Sequence, residues 1–377
     1  MLRGPAGRTR SLLLLASLVA SAALLPGGAA ASARAVPTRF LGVVPQGELG
    51  EADFDRMRGV VGTLRIPFYW YEIEPRPGTY DFAHLDAVVG ELADRGIAVL
   101  PFVYGSPRWA TGNEAVPPLR GRARAAWQGV LRRLVRRYGP GGGFWRERER
   151  RLPIRRWQVW NEPNFLLFWR PRPSPRDYAG LLKESASAIR AADPGATVIA
   201  AGVAPVEGGI SPWSFLRSLY RQPGVRRDFD VLALHPYAPH VAWVAAEIRF
   251  VRKLMAEAGD ANTPLQLTEI GVASGNDRRD VFDLGPRGQA AYVRRVLALV
   301  LRNRHRWRLS GLDWFTWRDA SGADPHCGFC QRSGLAAAFS TRTTLVASPS
   351  APPTMPQHSF GRSSRACATI SSIRLLA

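Results

Sequence analysis

Short apolar runs alternate along the chain with segments whose apolar residues recur every three or four positions. The runs are Phe40–Pro45, Thr63–Phe68, Ile97–Val103, Arg156–Trp160, Thr197–Gly202, Phe229–Leu234, Leu265–Glu269 and Leu312–Trp317. Their length and β-branched and aromatic content predict buried strands. Between them lie amphipathic helical faces: Trp127, Val130, Leu131, Leu134, Val135 and Tyr138; Val241, Val244, Ile248, Val251 and Leu254; Tyr292, Val293, Val296, Leu297, Val300 and Leu301. Another helix announces its start with Ser174 as N-cap, Pro175 at the first helical position and Asp177 in the first turn, and its end with Asp193-Pro194-Gly195. Eight strand–helix alternations predict a (β/α)8 TIM barrel in one domain over residues 36–335. A doubly wound sheet shares the alternation but places a Gly-rich phosphate loop after its first strand. Here the glycine cluster, Gly139 to Gly143, follows a helix and is read as a loop.

Both ends depart from this pattern. Arg3, Arg8 and Arg10 precede an apolar run from Leu12 to Leu25, then Pro26 and Ala31-Ser32-Ala33. That order predicts a signal peptide over residues 1–33 and a secreted or cell-surface protein; an uncleaved anchor is the alternative. The run is short for a membrane span, and no later segment is long and apolar enough, so no membrane association is expected after cleavage. Residues 336–377 contain 8 Ser, 5 Thr and 4 Pro, no acidic residue and no sustained helical period. They read either as a disordered low-complexity tail or as the product of a reading-frame change, so that the closing helix of the barrel is missing.

The 377 residues are 46% hydrophobic and 10% aromatic, which excludes an intrinsically disordered chain. The net charge of +21 changes the picture more, since a basic face suits nucleic acid. However, Arg132, Arg133, Arg136, Arg137, Arg294 and Arg295 fall between the apolar positions of predicted helices, the ordinary solvated face, and no nucleic-acid-binding motif accompanies them. No specific nucleic-acid partner is expected; attraction to acidic polysaccharide stays open. Cys327 and Cys330 form an isolated C-x-x-C. Neither a second such pair nor spaced histidines complete a zinc site, and Gln331 stands where a haem-attachment motif needs His. A local disulfide is predicted, with Cys367 left over, and neither metal nor cofactor is expected.

In a barrel, chemistry gathers at the carboxyl ends of the strands. Glu162 follows the fourth run in Trp160-Asn161-Glu162-Pro163, and Glu269 ends the seventh in Thr268-Glu269. The two would face each other across the mouth, beside Arg65 of the second run, His235 and Tyr237 of the sixth, and Trp314 and Trp317 of the eighth. Two opposed carboxyls in an aromatic-lined cavity suit glycoside cleavage: one protonates the departing oxygen while the other attacks or activates water. Arg and Tyr beside Glu269 would hold it ionised, whereas Glu162 needs a raised pKa to carry its proton. His235 either lines the sugar site or bonds a neighbouring strand. Trp70, Tyr71, Trp109 and Trp169 are read as packing aromatics, and Asp319 is placed outside the site.

These motifs resemble the retaining glycoside hydrolases of clan A. Asn161-Glu162-Pro163 and Thr268-Glu269 carry the likeness, and His235-Pro-Tyr237 and Trp314-Phe-Thr-Trp-Arg318 resemble the family 39 and family 5 branches. The resemblance covers roughly Phe40 to Leu335. It implies Glu162 as acid/base, Glu269 as nucleophile and Asn161 bonded to a sugar 2-hydroxyl. It further implies Arg65 and Tyr237 as partners of the nucleophile, Trp317 as a stacking platform, and carboxyls about 5–5.5 Å apart. The implied partner is an oligosaccharide, polysaccharide or glycoside; the sugar and the oligomeric state are left open. A non-catalytic carbohydrate-binding protein on a degenerate barrel is the competing reading.

Overall fold

A computed structural model of the protein describes residues 35–335, apart from 48, 276, 278 and 321–326. All eight runs are parallel strands: β1 (Leu41–Val44), β2 (Thr63–Tyr69), β3 (Ala98–Tyr104), β4 (Arg156–Val159), β5 (Thr197–Val203), β6 (Val231–Leu234), β7 (Leu265–Ile270) and β8 (Leu309–Phe315). They pair in chain order and close, with Leu41 to Val44 beside Leu312 to Phe315. Each of the first seven strands is followed by its helix: α1 (Glu51–Met57), α2 (Ala83–Asp94), α3 (Gly121–Tyr138), α4 (Pro175–Ala192), α5 (Pro212–Tyr220), α6 (Val241–Glu257) and α7 (Gly285–Asn303). This is the (β/α)8 barrel. The signal segment, 1–33, and the tail, 336–377, lie outside the described residues. Among the described residues no α-helix follows β8, and the chain reaches Leu335 through the 3-10 turn Cys330–Arg332.

The helices form where their apolar spacing meets the barrel wall. In α3 the buried residues are Trp127, Val130, Leu131, Leu134, Val135 and Tyr138, the face read from periodicity. Each such large side chain contributes about 1.5–3 kcal/mol on burial. Trp127 also donates from Nε1 to Ser185 Oγ of α4 at 2.8 Å. Ser174 caps α4 by accepting from the Asp177 amide at 3.2 Å, as the start signal predicted.

The only strand whose start moved far is β8, which begins at Leu309 rather than Leu312: Ser310 and Gly311 break the apolar run, but Leu309 and Gly311 still pair with Leu265 and Gln266 of β7 across a register shift at Ser310. Ser310 and Gly311 tolerate a lumen that is partly polar. Arg156 donates to Gln266 Oε1 at 2.6 Å, and Gln266 Nε2 donates to Asp313 at 2.9 Å. Burial raises the Asp313 carboxyl to about 7. Gly42 leaves room for it, since a Cβ there would lie 2.1 Å from Asp313 Oδ1. Leu100, Ile199, Val231 and Ala233 fill the remaining lumen as a small apolar cluster.

Candidate active site

The segment after β4 bends sharply. Trp160 and Glu162 both adopt positive φ, 70° and 38°, which non-glycine residues enter only where surrounding packing over-determines them. That packing is visible. The Trp160 amide donates to Val103 O at 2.9 Å, its indole N–H donates to Phe168 O at 2.8 Å, and its ring meets those of Tyr104, Trp127 and Trp169 at 5.1, 5.9 and 5.7 Å. Asn164 fastens the far side by donating to Ala204 O and Ile210 O. The bend presents both Asn161 and Glu162 to the mouth.

An irregularity does similar work in β7. Successive strand residues normally face opposite sides. The register between β7 and β8 shifts between Leu267 and Ile270, and here two consecutive side chains turn inward. Thr268 meets His235, while Glu269 reaches Arg65 and Tyr237.

The two acids are held by different partners. Glu162 Oε1 lies 2.7 Å from His235 Nδ1, and His235 Nε2 lies 3.0 Å from Thr268 Oγ1. This contact survives a proton transfer, because the ring nitrogen can donate to the carboxylate or accept from the acid. Glu269 Oε1 accepts from Arg65 at 2.6 Å and its Oε2 accepts from the Tyr237 hydroxyl at 2.7 Å. One carboxylate oxygen of each acid lies within 4.8 Å of the other. Both residues are buried, 7% and 8% exposed, so neither charge is well solvated.

Electrostatics push the pair apart. Burial raises the Glu162 pKa, and the adjacent charge of Glu269 adds to that, while His235 and Arg65 only partly oppose it. Burial works to raise Glu269 too, but the His235 and Arg65 charges and the hydrogen bonds from Tyr237 and Arg65 outweigh it, and its pKa falls below the ordinary value. Burial, then the charge of Glu269, lifts the Tyr237 phenol well above its usual value, so it stays a donor.

Five further residues were candidates for the substrate site, Arg65 and Tyr237 as partners of the nucleophile and Asn161, His235 and Trp317 as sugar contacts. Arg65 is brought to the site but is fully buried: Nε donates to Gln158 at 2.9 Å, one terminal nitrogen to Glu269 and the other to Asn161 Oδ1 at 2.8 Å, over the Phe102 ring at 4.1 Å. It holds Glu269 and Asn161 and has no surface left for sugar. His235 is likewise fully buried between Glu162 and Thr268, so it positions the acid instead of lining the sugar site. A Cβ on Gly202 would lie 2.2 Å from His235 Nε2, which accounts for the glycine. Asn161 is bound to Arg65 through Oδ1, which turns its NH2 group away from the guanidinium. Tyr237 is half-buried beside Glu269.

Trp317 is not brought to the site. It is fully buried and its indole N–H donates to Asp53 Oδ1 of α1 at 3.1 Å, so no face is open for stacking on a sugar. The half-buried aromatic beside Tyr237 at the end of β8 is instead Phe315, with ring centroids 6.2 Å apart. Trp70 and Trp169 are buried packing residues, and Trp109 donates from Nε1 to Glu74 O at 2.9 Å. Tyr71 stacks on Tyr69 at 5.0 Å. Gln158, Thr268 and Phe315 were missed as site residues; the first two carried a signal as polar residues inside otherwise apolar strands.

Glu162, His235 and Glu269 are the one group among the described residues with the types and spacing to hold a metal ion. The Arg65 guanidinium already supplies the cation to Glu269, and a divalent ion would meet it at close range, so the trio fits proton chemistry better than coordination.

Comparison with known proteins agrees with this architecture. A sequence model of glycosyl hydrolase family 42, described as β-galactosidase, matches residues 47–113. No curated protein matches the chain by sequence. Among solved structures, a family 39 glycoside hydrolase from the gut symbiont Bacteroides cellulosilyticus WH2 is 20% identical with a TM-score of 0.57, over 79% of this chain and 59% of that one. A monomeric β-xylosidase from Caulobacter crescentus CB15 is 19% identical with a TM-score of 0.59, over 80% of this chain and 65% of that one. An exo-β-1,4-mannosidase from Opitutaceae bacterium strain TAV5 is 17% identical with a TM-score of 0.58, over 80% of this chain and 57% of that one. The chain therefore spans about three fifths of the length of these structures. Its resemblance to the clan A glycoside hydrolases, first carried by strand-end motifs, holds in the fold.

Proposed function

We propose that the protein is a glycoside hydrolase working by retaining double displacement, with Glu269 as nucleophile and Glu162 as acid/base. The observation that carries this is the pair itself: two buried carboxyls with oxygens within 4.8 Å, one driven toward the acid and the other toward the carboxylate. That closeness suits the about 5–5.5 Å span of direct attack better than the about 6.5–9.5 Å of an inverting pair.

In the first half-reaction a Glu269 oxygen attacks the anomeric carbon while Glu162 gives its proton to the glycosidic oxygen. The C–O bond breaks, the alcohol leaves, and the sugar is held as an ester of Glu269. As Glu269 loses its charge in that ester, Glu162 loses the neighbour that helped to raise its pKa, and it can act as base. Water then gives a proton to Glu162 and attacks the anomeric carbon, and Glu269 departs as a carboxylate stabilised by Arg65 and Tyr237. Asn161, locked by Arg65, directs its amide N–H groups toward the sugar ring, where a 2-hydroxyl would accept.

The substrate class is a neutral or acidic saccharide or aryl glycoside, and the Arg3 to Ala33 segment supports export to meet it outside the cytoplasm. A panel of aryl glycosides tests the reading. At least one should be hydrolysed, with Glu269→Gln inactive and Glu162→Ala rescued by azide on substrates with good leaving groups. An active Glu269→Gln variant would overturn the assignment.

A further inference from the structure

The C-x-x-C pair has no part in this chemistry, yet it sits beside it. Cys327 and Cys330 form a disulfide, closing a turn whose inner residues are Gly328 and Phe329. The Phe329 ring meets Tyr237 edge-on at 5.4 Å and stacks on Phe282 at 4.9 Å. Tyr237 in turn donates to Glu269 Oε2 at 2.7 Å. The turn is tied to β8 as well: Ser333 Oγ donates to Phe329 O at 2.7 Å, and Ser333 O accepts from Trp314 Nε1 at 3.1 Å. Disulfide, Phe329, Tyr237 and Glu269 thus form a continuous line of contacts.

We propose that the Cys327–Cys330 disulfide is a positioning element for Glu269, holding Phe329 against Tyr237 so that the phenol stays on the carboxylate, and that a dithiol reductant opens it and lowers the rate. This rests on the reading of Glu269 as nucleophile. Gly328 is exposed and, as glycine, regains the most backbone freedom once the ring opens. Cys327 is half-buried and Cys330 buried, so a thiolate of the dithiol attacks Cys327 Sγ. Cys330 leaves as thiolate and takes a proton. The dithiol's second sulfur then displaces Cys327, which also leaves as a thiol, and the reductant becomes a cyclic disulfide. Two electrons and two protons pass to the protein.

The groups facing Glu269 are Arg65 from β2, Glu162 after β4, His235 and Tyr237 after β6, and, more distantly, Asp313 from β8. Only Tyr237 touches the stapled turn. Losing its hydrogen bond should therefore raise the Glu269 midpoint.

The test follows the Glu269 carboxyl by ¹³C NMR titration, identified by its absence in Glu269→Gln, alongside kinetics on an aryl glycoside. The oxidised protein should show a low midpoint. The dithiol-reduced protein, Cys327→Ser/Cys330→Ser, and Phe329→Ala with its disulfide intact should each show the raised midpoint, and kcat lowered about tenfold with KM less affected. Reoxidation of the reduced wild type should restore both. If a variant fails to fold, the reduction and reoxidation cycle still decides. Equal midpoints in oxidised and reduced protein would overturn the proposal. If the oxidised protein hydrolyses no glycoside, the glycosidase reading falls, and the NMR titration decides this one separately.

Discussion

Arg65→Met removes the cation from under the nucleophile with little change in side-chain length. Arg65 is fully buried and makes three hydrogen bonds, of which the contact to Glu269 at 2.6 Å is a buried ion pair. Removing one partner of such a pair costs about 3–5 kcal/mol, because the other charge is left uncompensated. The pH dependence follows from the direction of the Glu269 shift. Its folded pKa lies below the ordinary value, so the stabilisation is present above the unfolded value of about 4.3 and is lost as pH falls through the folded one. In the variant, burial prevails, and Glu269 takes up a proton at higher pH. The wild type should therefore exceed Arg65→Met by about 3–5 kcal/mol near neutral pH, with the gap narrowing as pH falls through the variant's raised Glu269 midpoint and smallest below the wild type's lowered one, under about pH 4. Urea unfolding at both pH values, followed by circular dichroism, measures this. Arg65→Lys should recover only part of the loss, since one ammonium cannot serve Gln158, Asn161 and Glu269 together. A gap that is the same at both pH values, or below about 1 kcal/mol at neutrality, would refute the reasoning.

Other consequences are testable alongside. The pH profile of kcat/KM should be bell-shaped, its acid limb set by Glu269 below the usual carboxylate value and its alkaline limb by Glu162 above it; Glu162→Gln should remove the alkaline limb. Gly202→Ala should push the His235 ring from Glu162, lowering kcat at least about tenfold at a stability cost of about 1–3 kcal/mol, measured by kinetics and thermal melts. Trp317→Phe should cost about 1 kcal/mol through the lost bond to Asp53 and leave KM unchanged, whereas Phe315→Ala should raise KM; steady-state kinetics distinguishes them.

The barrel was legible because strand and helix periods alternate without ambiguity, and because the carboxyl ends of parallel strands share one face. That is why Glu162 and Glu269, separated by 107 positions, could be paired from the sequence. Direction of a side chain beyond a strand end was not legible. Trp317 turns from the mouth toward α1 because Asp53, far away in the chain, accepts its indole N–H; no local pattern encodes that partner. The half-buried place beside Tyr237 goes to Phe315, two residues earlier. His235 and Arg65 carried the right chemistry, but their burial depends on Gly202, Phe102 and Gln158 arriving from other strands. The positive φ of Trp160 and Glu162 and the β7 register shift are products of packing, and residue type alone points away from them.

The central claim is that Glu269 forms a bond to the sugar. A panel of 2-deoxy-2-fluoroglycosyl fluorides, which slow turnover of the ester more than its formation, can trap that species for mass spectrometry. The account predicts one added glycosyl mass, located on the peptide containing Leu265–Ile270 and absent in Glu269→Gln. A glycosyl adduct mapped to another residue, or inverted products from a substrate that is turned over without any adduct, would contradict it.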